Sequence, residues 1–206
     1  MRFEACEWAG NRVALHASHG AEVAVLGSRI RGPAAIGLLF RQQATGVVED
    51  TDIEGCVDAA VMINSGATPT LSRCRLVSDI AAVYVQNGGL GALRDCTLRG
   101  GTHGVIVGAA AAPALWDCRI EGSNSTGLFF EGGGHVERCA LSDNGTGIYL
   151  MPGADPVIRD CDVNGGLSCG VLALDGARGT IEGCRIGAHP AGAVVVMPGA
   201  TTQVRG

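Results

Sequence analysis

The sequence contains no lysine, and this absence excludes two kinds of chemistry. All fifteen basic residues are arginine, so no lysine amine is present to form a Schiff base or to hold a nucleotide phosphate in a Walker A loop. Charged residues make up 17% of the chain, against about 25% in typical soluble domains. The formal net charge is -5. Because a nucleic-acid backbone requires a basic surface, we expect no nucleic-acid partner.

Long apolar runs are also missing. No stretch reaches the approximately 18 apolar residues of a membrane-spanning helix, and the N-terminal "MRFEACEWAG" has no apolar core of the kind found in signal peptides. We therefore expect no membrane span and a cytoplasmic location. Aromatic residues make up only 4% of the chain, whereas 33 of the 206 residues are glycine, about twice the usual share. Short apolar segments interrupted by glycine are typical of all-β chains.

A five-residue phrase centred on cysteine recurs along the chain. "RDCTL", "WDCRI", "ERCAL", "RDCDV" and "EGCRI" place a cysteine every 21 to 23 residues, at Cys96, Cys118, Cys139, Cys161 and Cys184. After each phrase come a glycine-rich loop and a second apolar pair, such as Ile148 and Leu150. Working backwards, this pair falls on Val13 and Leu15 in the first turn. About nine such turns account for nearly every residue.

A repeat of this length predicts a solenoid. Each turn holds three short strands that are too small to bury a face alone, and stacking the turns pairs each strand with its equivalent in the next. Strands related by a full turn run parallel, which favours right-handed winding. The predicted fold class is therefore all-β, a right-handed parallel β-helix of about nine rungs, with residues 1–206 as a single domain.

The repeat resembles that of a known superfamily. "DPVIRDCDVNGGLSCGVLALDGA" is similar to the right-handed parallel β-helix repeat of the pectate-lyase-like superfamily, and most similar to the "P-x-I-x-x-N-x-I…G-I-x-V" repeats of non-catalytic β-helix domains. In those repeats asparagine commonly fills the inward turn position, which is cysteine here. The resemblance covers the whole chain and implies the fold rather than an activity.

The cysteines are predicted to form an internal stacking row. The row, extended with its serine and threonine equivalents, is Cys6, Ser28, Thr51, Cys74, Cys96, Cys118, Cys139, Cys161 and Cys184. Structural zinc needs four ligands that converge at one point, and a straight row does not converge. Parallel neighbours hold their Cβ atoms about 4.8 Å apart, too far for a disulfide. We expect no metal and no cofactor. Cys56 and Cys169 fall outside the row, in predicted loops, and are the predicted reactive thiols.

The same alignment predicts an apolar row on the outside of the strand that carries the second pair. After Ala14 in the first turn, the predicted binding residues are Leu39, Met62, Tyr84, Ile106, Phe129, Tyr149, Leu172 and Val195. Small residues such as Gly37 and Ala60 precede them and form a predicted shelf. Outward strand positions on a solvated sheet should be polar, and a long apolar patch usually marks a covered surface. The alternatives are cover by the chain's own loops and sugar stacking on the aromatic rings.

Catalytic residues are not indicated. Lyases and hydrolases of the superfamily place acids, calcium ligands and a base on this strand and its loops, but the strand has one acid, Glu131. Loop residues Asp79, His103 and Asp143 form an acid/base site only if their loops converge. The Asp and Arg residues of the other two faces are predicted to form a solvated face with ion pairs between rungs.

Three functions follow from these patterns. The first is a rigid scaffold that binds a protein partner, or a second copy of itself, through the apolar row. The second is a carbohydrate-active lyase or epimerase, and the third a glycan-binding module that uses Tyr84, Phe129 and Tyr149. Neither end of the chain has a polar or helical cap. Because open strand edges recruit other strands, we expect the chain to be a module of a larger protein or assembly.

Overall fold

The computed structural model describes residues 1–206 and confirms the predicted fold. The chain forms 28 strands and no helix, wound as a right-handed parallel solenoid of about nine turns. Three strands in each turn contribute to three parallel sheets, which we name A, B and C in the order the chain enters them. Rungs are numbered 1 to 9 from the N-terminus by their strand in sheet C.

The strands of sheet A are Arg2–Glu4, Glu22–Leu26, Thr45–Glu49, Thr68–Ser72, Ala92–Arg94, Ala114–Trp116, Gly133–Glu137, Asp155–Arg159, Thr180–Glu182 and Gln203–Arg205. The strands of sheet B are Glu7–Ala9, Arg29–Arg31, Asp52–Cys56, Arg75–Ser78, Thr97–Gly100, Arg119–Glu121, Ala140–Ser142, Asp162–Asn164 and Arg185–Ile186. The strands of sheet C are Val13–Ala17, Ile36–Phe40, Ala59–Asn64, Ala81–Gln86, His103–Val107, Thr126–Phe130, Thr146–Leu150, Cys169–Ala173 and Gly192–Val196.

The turn from sheet A to sheet B is made by one residue in the left-handed conformation. Its φ lies between 49° and 63° in every rung, at Ala5, Gly27, Asp50, Arg73, Asp95, Asp117, Arg138, Asp160 and Gly183. The predicted cysteine row follows directly after this position. Because a left-handed residue reverses the side on which the next side chain lies, the row points into the solenoid. The five cysteines from Cys74 to Cys161 and both hydroxyl residues are buried there, and Cys6 and Cys184 at the ends are half-buried.

Hydrogen bonds explain which side chains this row accepts. Each side chain donates to the carbonyl oxygen two residues earlier, as in Ser28 Oγ to Leu26 at 2.9 Å and Cys161 Sγ to Arg159 at 3.1 Å. It also accepts from the amide of the preceding rung, as when Cys6 N–H donates to Ser28 Oγ at 3.1 Å. The row therefore requires a polar atom attached to Cβ, which cysteine, serine and threonine provide. The sequence pattern predicted the stacking but not these bonds.

A second row, in sheet A, has a period of two rungs. Glycine and proline alternate along it at Gly46, Pro69, Gly91, Pro113, Gly134, Pro156 and Gly179. A Cβ on Gly134, whose φ is 133°, would lie 2.5 Å from the Pro113 carbonyl oxygen and 3.4 Å from its Cδ. At Gly91, Gly134 and Gly179, the absence of a side chain therefore leaves the space in which the proline of the preceding rung packs.

Charged residues on sheets A and B pair between rungs, as the sequence predicted. The Arg73 guanidinium contacts both carboxylate oxygens of Asp50, at 2.8 and 2.9 Å, and Arg31 contacts Glu54 at 3.2 Å. These side chains are largely solvent-exposed. Each pair therefore contributes little to stability, and together they keep these two faces hydrated.

Two predictions about cysteine were wrong. Cys56 ends a strand of sheet B and Cys169 begins a strand of sheet C, and both are buried. Burial raises the pKa of the Cys56 thiol to about 12. Cys56 belongs to a row of buried residues at the inward corner between sheets B and C, with one member in each of rungs 3 to 9. The sequence pattern did not show this row, because its side chains differ: Cys56, Ser78, Gly100, Ser123, Asn144, Gly166 and His189.

Candidate functional site: the outer face of sheet C

The eight predicted binding residues form one continuous row on the outer face of sheet C. Consecutive members are register partners in neighbouring strands, from Leu39 and Met62 to Leu172 and Val195. All eight side chains are half-buried. We call this row, Leu39 to Val195, the apolar stripe. Its seven rung-to-rung steps of about 4.8 Å give a length of about 34 Å.

The first rung was aligned wrongly from the sequence. The register partner of Leu39 is His16, not Ala14, and the inward pair of that rung is Leu15 and Ala17. The error arose because Val13 and Leu15 also have alternating apolar spacing. The apolar stripe therefore begins at Leu39, and an imidazole occupies the outward position of rung 1.

The predicted shelf of small residues is also wrong, because these residues point inwards. A Cβ on Gly104 would lie 2.4 Å from Cγ2 of Ile120, which belongs to the core of sheet B. Gly147 and Gly170 have the same relation to Val163 and Ile186. The small residues are thus required where the strand of sheet C enters the corner and packs against sheet B. Strict alternation fails at this point, and the pattern of the sequence assumed it.

A row beside the apolar stripe was missed for the same reason. The first residues of the sheet C strands, three positions before the stripe, include Ala59, Ala81, His103, Thr126, Thr146 and Cys169. All of these except half-buried His103 are buried. Ser125 lies before this row, and its Oγ is 3.4 Å from Thr126 Oγ1. The signal available in the sequence was the three-residue spacing to the stripe, rather than the two-residue spacing of a regular strand.

The aromatic rings of the stripe stack on one another. The ring centroids of Phe129 and Tyr149 are 5.5 Å apart and the ring planes differ by 11°. His103, one rung earlier, lies 5.4 Å from Phe129 at a tilt of 57°. Because the three residues occupy successive rungs, the ring faces point along the solenoid axis. The edges of the rings, rather than their faces, are therefore directed towards a ligand.

The His103 ring is held in an unusual environment for a polar group. Its Nδ1 atom is buried without a hydrogen-bond partner. Burial lowers the pKa of His103, so the ring is neutral at pH 7. A neutral imidazole packed on Phe129 extends the apolar surface by one side chain.

The three loop residues named as candidate catalytic groups do not converge. Asp79 and Asp143 are exposed in the loops before the strands of rungs 4 and 7, and His103 begins the strand of rung 5. At about 4.8 Å per rung, the two aspartates are separated by at least about 14 Å along the solenoid. Proton transfer requires hydrogen-bond distances, so these residues do not form a joint acid/base site.

No group of three or more His, Cys, Asp and Glu side chains has an arrangement that would hold a metal ion. The structure contains no helix with the length and apolar character needed to cross a bilayer.

Comparison with known proteins places the chain in a family. The family described as "Right handed beta helix region" matches residues 1–112 and 81–206. None of the curated proteins matches the chain. Among solved structures, the periplasmic alginate epimerase AlgG has a TM-score of 0.62 at 10% identity, over 96% of this chain and 49% of the epimerase.

Two further structures show the same fold. The T265N mutant of AlgG has a TM-score of 0.65 at 11% identity, over 98% of this chain and 50% of the mutant. The ORF18 protein of Geobacillus virus E2 has a TM-score of 0.53 at 12% identity, over 95% of this chain and 50% of the viral protein. The chain thus spans about half the length of the structures it matches. It belongs to the right-handed β-helix family.

Proposed function

We propose that the chain is a rigid binding module that docks a polypeptide segment on the outer face of sheet C. The observation that carries this proposal is the apolar stripe: eight half-buried apolar side chains stand in register over about 34 Å of a sheet face that nothing covers in this chain. Outward positions of a solvated sheet are normally polar. The outer face of sheet B follows that rule, and sheet A alternates small or apolar positions such as Val47 and Val157 with charged ones such as Glu49 and Arg159.

The ring geometry favours a polypeptide over a sugar. Sugar rings bind aromatic side chains by lying flat on an exposed ring face. Phe129 and Tyr149 stack face to face, and His103 contacts Phe129 at a tilt from the preceding rung, so the ring faces of this cluster are engaged with one another rather than free for a sugar. Ring edges pack well against aliphatic and aromatic side chains of a protein partner.

The enzyme alternative has less support. AlgG is an alginate epimerase, but at 10% identity this likeness extends to the fold alone, and one fold hosts many functions. The chain corresponds to about half of that enzyme. Asp79 and Asp143, the carboxylates that the sequence offered as candidates, are too far apart to act on one reacting atom. The cytoplasmic location and the single-domain boundary stay predictions.

Selection from a displayed library of random peptides tests the proposal without assuming the sequence of the partner. Peptides selected on the wild-type chain should bind the double variant Ile106→Asn/Leu172→Asn at least about tenfold more weakly, since an apolar side chain covered by a partner contributes about 1–3 kcal/mol. Val77→Asn is the matched control, because Val77 is a half-buried apolar residue on the outer face of sheet B. It should leave binding unchanged, and circular dichroism should show all variants folded.

Three outcomes would contradict the proposal. The first is a selection that yields no peptide, and the second is a set of peptides that bind both variants equally. The third is specific binding on a glycan array that is lost in the Ile106→Asn/Leu172→Asn variant, which would assign the face to a sugar. Light scattering identifies self-association: a dimer that the same variant dissociates would make a second copy the occupant.

A further inference from the structure

The charges around sheet C differ from those on the rest of the solenoid. In rungs 3 to 8, sheet C and the loops on both sides of it occupy residues 57–67, 79–91, 101–113, 122–132, 143–154 and 165–179. These segments contain one arginine, Arg178 at the end of the last loop, and five carboxylates: Asp58, Asp79, Glu131, Asp143 and Asp175. The remaining parts of the same rungs hold seven arginines: Arg73, Arg75, Arg94, Arg99, Arg119, Arg138 and Arg159. Acidic residues therefore predominate along the apolar stripe, and in rungs 3 to 7 no arginine lies among them.

These five carboxylates are also unpaired, unlike many of those on the other faces. All five are exposed, and the ion pairs of the structure, which have N to O distances of up to 4.0 Å, include none of them. By contrast, Arg73 neutralises Asp50 and Arg138 neutralises Asp117. Six of the seven arginines on sheets A and B, all except Arg119, are thus engaged in ion pairs there, and the charge at sheet C stays negative.

The carboxylates lie along both edges of the stripe. Asp58, Asp79 and Asp143 precede their sheet C strands, while Glu131 and Asp175 follow theirs. The arginines beside the stripe lie near its two ends: Arg41 follows the strand of rung 2, and Arg178 ends the loop after the strand of rung 8. A ligand that covers rungs 3 to 8 therefore has an apolar surface beneath it and negative charge on both sides.

We propose that the segment bound on sheet C is basic as well as apolar: an extended polypeptide whose apolar side chains cover the stripe while lysine or arginine side chains reach the carboxylates at its edges. This inference rests on the proposed function and specifies its partner. About ten extended residues cover 34 Å at about 3.3 Å each. Charges of opposite sign at the rim raise the rate of association and exclude partners of the wrong sign.

The same charges disfavour the other occupants. A uronate polymer carries a carboxylate on every sugar and is repelled by a face that has five unpaired carboxylates and a single arginine in rungs 3 to 8. A second copy that docked face to face would bring two such acidic rims together. Charge complementarity therefore selects a cationic polypeptide.

Two labelled peptides of twelve residues test the inference by fluorescence anisotropy. One alternates leucine with arginine, and its twin alternates leucine with glutamate. The basic peptide should bind the full chain at about 20 mM salt and weaken at least about tenfold at about 500 mM salt, where rim charges are screened. The acidic twin should not bind.

Matched variants locate the effect. Asp79→Asn/Asp143→Asn removes two charges at the rim and should weaken the basic peptide by about three- to tenfold at low salt. Asp95→Asn/Asp160→Asn removes two exposed, unpaired charges at the corner between sheets A and B, and asparagine tolerates their left-handed backbone as aspartate does. This control should change binding less than about twofold. The Ile106→Asn/Leu172→Asn variant should abolish it.

The outcomes separate this inference from the proposed function. If the acidic twin binds as tightly as the basic peptide and loses its binding in the Ile106→Asn/Leu172→Asn variant, the face docks polypeptides but the charge inference is wrong. If both carboxylate variants weaken the basic peptide equally, the attraction belongs to the net charge of the chain and the inference is again wrong. If neither peptide binds, the inference is overturned, and the library selection decides the docking function independently.

Discussion

The amide of Cys139 donates a hydrogen bond to the sulfur of Cys161 on the next rung, at 3.4 Å, and the Cys161 thiol donates to the carbonyl oxygen of Arg159 at 3.1 Å. One side chain thus satisfies a backbone donor of one rung and a carbonyl of its own rung inside the solenoid. Cys184 repeats the arrangement with the amide of Cys161, also at 3.4 Å. The row therefore resembles a hydrogen-bonded chain more than a stack of soft side chains.

Replacement of Cys161 should separate hydrogen bonding from packing. Cys161→Ala removes the acceptor of the Cys139 amide, which then lies buried without a partner, and we expect a loss of about 1–3 kcal/mol in the free energy of unfolding. Cys161→Ser keeps an acceptor and a donor on Cβ, as Ser28 does in rung 2, and should cost clearly less. Urea denaturation measures both. Equal losses for the two variants would show that the sulfur contributes only by packing.

The regular part of this architecture was predictable from the sequence. A period of 21 to 23 residues superimposes Cys96 on Cys118 and Tyr84 on Ile106, and the structure confirms both alignments. The hydrogen bonds of the cysteine row were not predictable, because the left-handed residue before it varies among glycine, aspartate, arginine and alanine. The alternation of glycine and proline was not predicted, because its period is two rungs and the repeat in the sequence superimposes single rungs.

Replacement by alanine should destabilise the chain at Gly134 but not at the neighbouring Gly133. Gly134 has a φ of 133°, and a Cβ there would lie 2.5 Å from the Pro113 carbonyl oxygen. Gly134→Ala should therefore cost about 2–3 kcal/mol or more in the free energy of unfolding, from backbone strain and a clash with backbone atoms. A Cβ on Gly133 meets its nearest atom at 3.4 Å, so Gly133→Ala should stay within about 0.5 kcal/mol. Thermal unfolding compares them. A stable Gly134→Ala protein would refute the packing role of this row.

The rate at which each thiol reacts should depend on its burial, and not on whether the cysteine lies inside or outside the cysteine row. Because the thiolate is the reactive form, a pKa of about 12 protects Cys56, and Cys169 is buried. Half-buried Cys6 should be alkylated first in the native chain. Cys184, whose pKa is raised by its hydrogen bond with Cys161 and by burial, should follow more slowly. Mass spectrometry after a short exposure to iodoacetamide at pH 8 identifies the labelled sites. Labelling of Cys56 or Cys169 as fast as Cys6 would contradict this order.

The candidate site was only partly predictable. The apolar stripe was predicted because each of its residues lies between two inward residues, as Met62 does between Val61 and Ile63. At these positions the strands follow simple alternation. The row that contains His103 and Thr126 was missed because the glycine after each turns inwards and breaks that alternation. The carboxylates at the edges of the stripe lie in loops, at different distances from the sheet C strand of their rung. Asp79 and Asp143 therefore share an edge of the stripe only in the folded solenoid.

His103 should make the stability of the fold depend on pH just below neutrality. Burial holds the pKa of His103 below its unfolded value, which is about 6.5. The unfolded chain therefore takes up this proton first as the pH falls, and the free energy of unfolding decreases from about pH 6.5 downwards until the folded protein is also protonated. Carboxylates such as Asp117, whose pKa is lowered by the hydrogen bond from Arg138, titrate only at more acidic pH and do not contribute in this window.

His103→Thr isolates the contribution of the imidazole, since threonine occupies the same row at Thr126 and Thr146. The urea midpoint of the wild-type chain should fall between pH 7.5 and 5.5, and that of His103→Thr should fall less. His135→Thr serves as control, because His135 is exposed on the outer face of sheet A, and it should retain the wild-type dependence. If His103→Thr and the wild-type chain lose stability in parallel over this range, the imidazole is not kept neutral by the stripe. Its packing on Phe129 would then contribute nothing to the pH response.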